Sequence, residues 1–194
     1  MITINTHTRL CGLLGNPVEH SLSPAIHNAA FQKLGLNFVY LAFRVEDLPS
    51  AVRGLRALGN LRGFSVTIPH KVSIIPYLDE VEATARHIGS VNTIVIDNGR
   101  LTGYNTDATG ALRALADAGV GSKGRHVLVL GSGGAARAIA FALAIESGLR
   151  RLTILGIDES ERSGLVKDLR AKTDVAVTEG ALDDDTLRDA LPGA

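Results

Sequence analysis

A lysine at position 71 and an aspartate at position 107 each follow a run with strand character. Lys71 follows "LRGFSVTIP" (61–69), and Asp107 follows the second arm of "VNTIVIDNGRLTGYN" (91–105). In open α/β sheets, ligands bind beyond the carboxyl ends of strands. A cation and a carboxylate at such an edge can work as one proton-handling pair. Each also has an ordinary alternative: Lys71 as a solvated side chain in a first helical turn, and Asp107 or Thr106 as the cap of the next helix. Small polar groups gather nearby in the chain. "GNPVEHSLSPAIHN" (15–28) holds two serines, two histidines, two asparagines and two prolines. Thr67 lies in "SVTIPHK" (65–71), Asn92 in "GSVNT" (89–93), and Asn105 and Thr106 in "GYNTD" (103–107). His20, His27 and His70 lack the H-E-x-x-H spacing and a fixed carboxylate, so no metal site is expected. Cys11, the only cysteine, excludes a disulfide or a thiolate cluster within the chain and reads as a small buried residue.

A second group of residues carries different chemistry. "GSGGAA" (131–136) fits G-x-G-x-x-A, between the apolar run "HVLVL" and a helical run. Gly131 permits the tight turn, Gly133 lets the backbone approach a pyrophosphate, and Ala136 lets helix and strand pack closely. The helix N-terminus adds N–H groups and partial positive charge. The acid expected after the next strand is Asp158. It suits the ribose hydroxyls of a dinucleotide and repels a 2′-phosphate, and it is also a plausible helix cap; the two roles are compatible.

These residues need elements to position them. Residues 9–15, 37–45 and 61–69 read as strands. Residues 23–35 read as a helix with Ser23 as N-cap, Pro24 at the first position and Gly35 as stop. Residues 46–59 and 70–89 read as helical, the latter interrupted at Pro76. Residues 91–105 form a hairpin turning at Asn98-Gly99. Beyond a helix at 107–119, an apolar strand, the glycine-rich turn and a helix run over 126–148, followed by a strand at 151–158, a helix at 160–172, a strand at 174–180 and a helix at 183–191. This is an α/β chain of two domains: 1–105 with a mainly parallel sheet, and 106–194 with an incomplete Rossmann-type unit.

"GNPVEHSLSPAIHN", "VTIPHK", "GSVNT", "GYNTD" and "GSGGAAR", in this order, resemble the motifs of the shikimate dehydrogenase family over essentially the whole chain. The resemblance implies reversible reduction of 3-dehydroshikimate to shikimate with NADP or NAD, in aromatic amino-acid biosynthesis. It implies that Ser21 and Ser23 hold the substrate carboxylate, and that Thr67, Asn92 and Asp107 hold ring hydroxyls with Lys71. It also implies that Lys71 and Asp107 are catalytic, and that Gly131, Ser132, Gly133, Gly134, Ala135 and Arg137 line the pyrophosphate turn. Two serines two apart at a strand end suit a carboxylate with two oxygens.

The match departs from the family at two points. NADP-using members carry N-R-T where this chain has Gly156, Ile157 and Asp158, so the cofactor is expected to lean to NAD unless Arg150, Arg151 or Arg162 substitutes. An NAD-preferring quinate/shikimate dehydrogenase is the alternative within the family. Only one of the two βαβαβ halves of a doubly wound domain is present. The strand at 126–130 is therefore expected at an exposed edge, and the chain resembles a fragment with an incomplete nicotinamide pocket and little activity of its own. A non-catalytic substrate-binding fragment is the alternative of another class. Net charge of zero and the absence of a basic, aromatic-interleaved run argue against nucleic acid. The longest apolar run, "AIAFALAI", is too short to span a bilayer, and the N-terminus has no signal pattern. A cytoplasmic monomer or homodimer acting on a small molecule is expected.

Overall fold

At the middle of a six-stranded sheet, β1 (Arg9–Gly15) runs parallel to β2 (Phe38–Arg44) on one side and to β3 (Leu61–Val66) on the other. The computed structural model describes residues 4–146 and 148–193. The chain divides into two units, Met1–Asn105 and Thr106–Ala194.

In the first unit, α1 (Ser23–Lys33) joins β1 to β2, and α2 (Leu48–Ala57) joins β2 to β3. The two connections progress in opposite directions across the sheet, so right-handed crossovers put the helices on opposite faces. Leu48, Val52 and Leu55 recur at helical spacing in α2 and are buried with Leu14, Phe64 and Val66 in one core. The hairpin β5 (Thr93–Asp97) and β6 (Arg100–Tyr104) follows, with β5 antiparallel to β3 and β6 antiparallel to β5. Asn98 and Gly99 take φ of 48° and 77° at its turn, as a type I′ connection requires. The strand order is β2-β1-β3-β5-β6-β4. With β5 reversed, the ends of β1, β3 and β6 and the start of β5 share one edge.

Residues 70–89 differ from the single interrupted helix expected. They form α3 (His70–Ser73), a 3₁₀ turn (Ile75–Tyr77), the short β4 (Glu80–Val81) and α4 (Ala83–Ile88). Pro76 has no N–H to continue the helix. Beyond it the Asp79 N–H donates to Leu101 O, 3.0 Å, and β4 joins β6 in parallel. The Asp79 carboxylate completes this junction, accepting from the Leu101 N–H at 2.7 Å and from Arg56 at 2.5 Å.

The second unit holds a wholly parallel sheet, β7 (His126–Leu130), β8 (Arg151–Gly156) and β9 (Ala176–Ala181), in the order β7-β8-β9. Near-continuous apolar β8 suits a middle strand covered on both faces, and Leu152 and Ile154 are fully buried. β7 is an edge strand of this sheet, and its Leu130 is 55% exposed. Helices α5 (Asp107–Asp117), α6 (Gly134–Glu146), α7 (Glu159–Lys172) and α8 (Asp184–Ala190) complete the unit. Ala138, Phe141 and Ala142 of α6 and Leu165, Val166 and Leu169 of α7 are buried.

The Arg56 guanidinium, together with the Leu101 N–H, holds the Asp79 carboxyl below the ordinary carboxylate range. A depressed folded-state pKa adds stability that is complete above the unfolded value and drains away as pH falls through the folded one. The difference in melting temperature between the wild type and Asp79→Asn should therefore be largest near neutrality and shrink between about pH 5 and pH 2. A constant difference would contradict the assignment.

Candidate functional site

Helix α1 carries Ser23 and begins two residues after Ser21, yet none of its residues is fully buried. Polar and ring contacts hold it instead. The Asn28 side-chain amide donates to Pro24 O at 2.8 Å and to Tyr40 O at 2.9 Å, and its oxygen accepts from the Tyr40 N–H at 2.9 Å. Tyr40 lies on β2, an edge strand, so Asn28 satisfies the outward-facing backbone pair that the sheet leaves unpaired. The His27 ring stacks on the Tyr40 ring, with centroids 4.3 Å apart, and Phe31 meets Phe38 edge-on at 5.3 Å. The Tyr40 hydroxyl donates to Ser65 Oγ at 2.8 Å. Burial raises the Tyr40 pKa, and hydrogen bonds with Ser65 and Ser23 oppose the rise.

The cap of α1 differs from the expected Ser23. Leu22 occupies the cap position in helical geometry, and Ser23 is the first helical residue. Ser21 Oγ accepts from the Ser23 N–H at 3.2 Å, so the earlier serine does the capping work. Both serines are half-buried and line, with His20 and Thr67, a cavity of about 300 Å³. A larger cavity of about 390 Å³ under α2 is mostly apolar and contains none of the serines, Thr67, Lys71 or Asn92.

Backbone hydrogen bonds stitch the loops of this edge together. Asn16 N–H donates to Ile68 O (2.9 Å), and Thr67 N–H to Leu14 O (2.9 Å). His70 N–H donates to Thr67 O (2.9 Å), Val91 N–H to Lys71 O (2.8 Å), and Val66 N–H to Asn92 O (2.7 Å). Thr67, Lys71 and Asn92 therefore belong to one continuous backbone network with the loop that leads to Ser21. His70 is buried, and its Nε2 lies 3.0 Å from Val45 O. A carbonyl only accepts, so Nε2 carries the proton, and the ring anchors α3 and with it the neighbouring Lys71. Asn105 is buried, its amide donating to Ser90 O at 3.0 Å. Asp107 opens α5 in the second unit. Among the described residues no cluster of His, Cys, Asp or Glu could hold a metal ion, and no helix is long and apolar enough to cross a membrane.

In the second unit, Gly131 has φ +113° at the end of β7, a backbone conformation that L side chains rarely adopt. Its N–H donates to Leu155 O at 2.6 Å. A Cβ on Gly133 would meet nothing within 4 Å, leaving the backbone clear for a phosphate where α6 begins. The turn thus fits a dinucleotide pyrophosphate by its open backbone and by the N-terminus of a thirteen-residue helix. Ser132 is buried and packs against Gly156, where a Cβ would fall 2.7 Å from Ser132 Oγ. The Arg137 guanidinium pairs with Asp168 of α7 and lies 5.6 Å above the Phe141 ring. Asp158 caps α7, accepting from the Glu161 N–H at 2.8 Å. The cap uses Oδ1.

Neither motif nor spacing points to the anchoring roles of Asn28, Tyr40 and His70. Asn28 and His70 stand inside the motif stretches, but hydrogen bonds to the backbone of Tyr40 in β2 and of Val45 just beyond it leave no spacing signal.

Residues 13–94 match the family profile of the shikimate dehydrogenase substrate binding domain. A shikimate dehydrogenase (NADP(+)) of Desulforamulus reducens is 49% identical over 178 residues, covering 90% of this chain and 60% of that protein. The crystal structure of shikimate 5-dehydrogenase from Listeria monocytogenes, in complex with shikimate and NAD, superposes with a TM-score of 0.83. It is 42% identical and covers 98% of this chain and 68% of that one. Quinate dehydrogenase from Corynebacterium glutamicum, in complex with NAD, gives a TM-score of 0.78 at 31% identity, covering 90% of this chain and 64% of that one. The chain spans between 49% and 65% of the length of eight curated relatives that it matches.

Asn28→Ala strands the Tyr40 backbone pair, and unsatisfied groups of this kind cost about 1–3 kcal/mol. Urea unfolding of the first unit should show a loss of that size. A loss below about 0.5 kcal/mol, within the range of an ordinary surface substitution, would show that Asn28 is not what holds α1.

Proposed function

We propose, from the premise that the chain belongs to the shikimate dehydrogenase family, that the whole protein interconverts 3-dehydroshikimate and shikimate with a nicotinamide cofactor. The observation that carries this reading is the convergence of Ser21, Ser23 and Thr67 on one cavity. Two hydroxyls there suit the two oxygens of a carboxylate. Thr67 and Asn92 take ring hydroxyls, which they can both donate to and accept from. When bound, the cofactor supplies the hydride. The work of the chain is to hold the ring, meet the charge that grows on the carbonyl oxygen, and handle its proton. Lys71 meets that charge as a cation, and Lys71 and Asp107 are the proton-handling residues.

The second unit is the cofactor-binding part. Gly131, Ser132, Gly133, Gly134 and Ala135 cradle the pyrophosphate at the head of α6, while Arg137, paired with Asp168, ties α6 to α7. Asp158 accepts from the ribose hydroxyls and disfavours a 2′-phosphate, which supports NAD over NADP. The same feature supports a second reading, an NAD-preferring enzyme that also takes quinate. The paired serines of "SLSP" favour shikimate.

An absorbance assay of the whole protein at the nicotinamide band with shikimate, quinate, NAD and NADP separates these readings. Shikimate oxidation with NAD preferred is expected. A hundredfold preference for NADP overturns the cofactor assignment, and shikimate binding without turnover marks a substrate-binding protein rather than an enzyme. Lys71→Ala should lower kcat by about 10²–10⁴-fold, the usual reach of a positioned acid or base, with KM changed little. A large rise in KM at normal kcat would make Lys71 a binding residue only.

A further inference from the structure

Three arginines stand near Asp158 in the sequence, and the structure separates them. Arg151 opens β8 with Arg150 just before it, and Gly156 closes it. Five or six residue steps at roughly 3.3 Å each put them about 16–20 Å from the carboxyl end where the ribose is read. Arg162 is different. It sits in the first turns of α7, its N–H donating to Asp158 O at 3.1 Å. Its Cβ lies 3.3 Å from where a Cβ on Gly156 would be. Gly156 in turn packs on Ser132 of the glycine-rich turn, so Arg162 is the arginine built into the ribose end of the cofactor cradle.

Its guanidinium is occupied. Nη1 donates to Gly156 O at 2.8 Å, and Nε donates to the Glu179 carboxylate of β9 at 3.2 Å. Ser163 Oγ donates to the same carboxylate oxygen at 3.0 Å, which fixes Glu179 in place. The Arg162 side chain is only 12% exposed. Resting on the cofactor reading above, we propose that Glu179 is a determinant of cofactor choice: it withholds Arg162 from a 2′-phosphate. Glu179 touches no cofactor in this scheme and acts through Arg162. The chain thus disfavours NADP twice, by placing an acid at 158 and by neutralising Arg162.

The test is equilibrium titration of the protein with NAD and with NADP. Glu179→Gln keeps the size of the side chain and removes its charge, and Glu179→Thr suits a strand if glutamine is not tolerated. Either should raise affinity for NADP relative to NAD at least tenfold over the wild type. The double variant Glu179→Gln, Arg162→Gln should return the ratio to within threefold of the wild type. An unchanged ratio in both single variants overturns the proposal. So does a gain that survives in the double variant, which would trace the effect to the lost charge of Glu179 alone. A wild-type protein that binds neither cofactor defeats the underlying functional reading, an outcome distinct from normal NAD binding with an unmoved ratio.

Discussion

The first unit depends on how one edge strand is finished. β2 ends the sheet, and the backbone of Tyr40 turns its N–H and carbonyl away from β1. Asn28 answers both with a single amide. A helix with no fully buried residue is thereby fixed to the sheet by directional bonds, alongside the His27–Tyr40 and Phe31–Phe38 ring contacts. Such bonds set position more narrowly than burial does, because hydrogen-bond strength falls steeply with misalignment. Tyr40 then passes the constraint on. Its ring supports His27, and its hydroxyl reaches Ser65 and Ser23. The serine pair stands at the end of this chain of contacts, and Ser21 Oγ closes it on the Ser23 N–H.

The other polar residues of this edge are held by a similar economy. Thr67, Lys71 and Asn92 lie outside the strands, where a loop would ordinarily be mobile. Here each segment lends a backbone group to its neighbour, and the buried His70 ring ties α3 to the end of β2 through Val45. The lysine is presented from a helix start whose location is set by these bonds. This is the arrangement that the proton-handling role proposed for Lys71 requires, since the efficiency of such a group depends first on geometry.

Much of this was legible in the sequence. Periodicity and punctuation placed the strands, the Asn98-Gly99 turn and the glycine-rich loop, because each rests on local backbone rules. The stretch 70–89 was not legible: Pro76 announced a break, but the two-residue strand after it exists only through pairing with β6 and the Asp79 contacts. Ser23 looked like a cap, yet the helix starts at Ser23 and Ser21 supplies the oxygen. Arg137 reads as a turn residue by motif, but Asp168, thirty-one positions later, takes its guanidinium. The engagement of Arg162 with Glu179 is likewise a long-range fact, carried by β9 lying beside β8. Local signals gave the elements, and contacts distant in sequence decided which polar groups remain available for ligands.

The serine pair is the feature on which the functional reading turns, and a carboxylate is the ligand it implies. The direct measurement is calorimetric titration with shikimate and with its neutral methyl ester, on the wild type and on a Ser21→Ala, Ser23→Ala variant. The wild type should bind shikimate at least tenfold more tightly than the ester, about 1.4 kcal/mol, and the double variant should lose that discrimination. Equal affinity of the wild type for acid and ester, or discrimination that persists without the two hydroxyls, would contradict the assignment of this cavity as the carboxylate site.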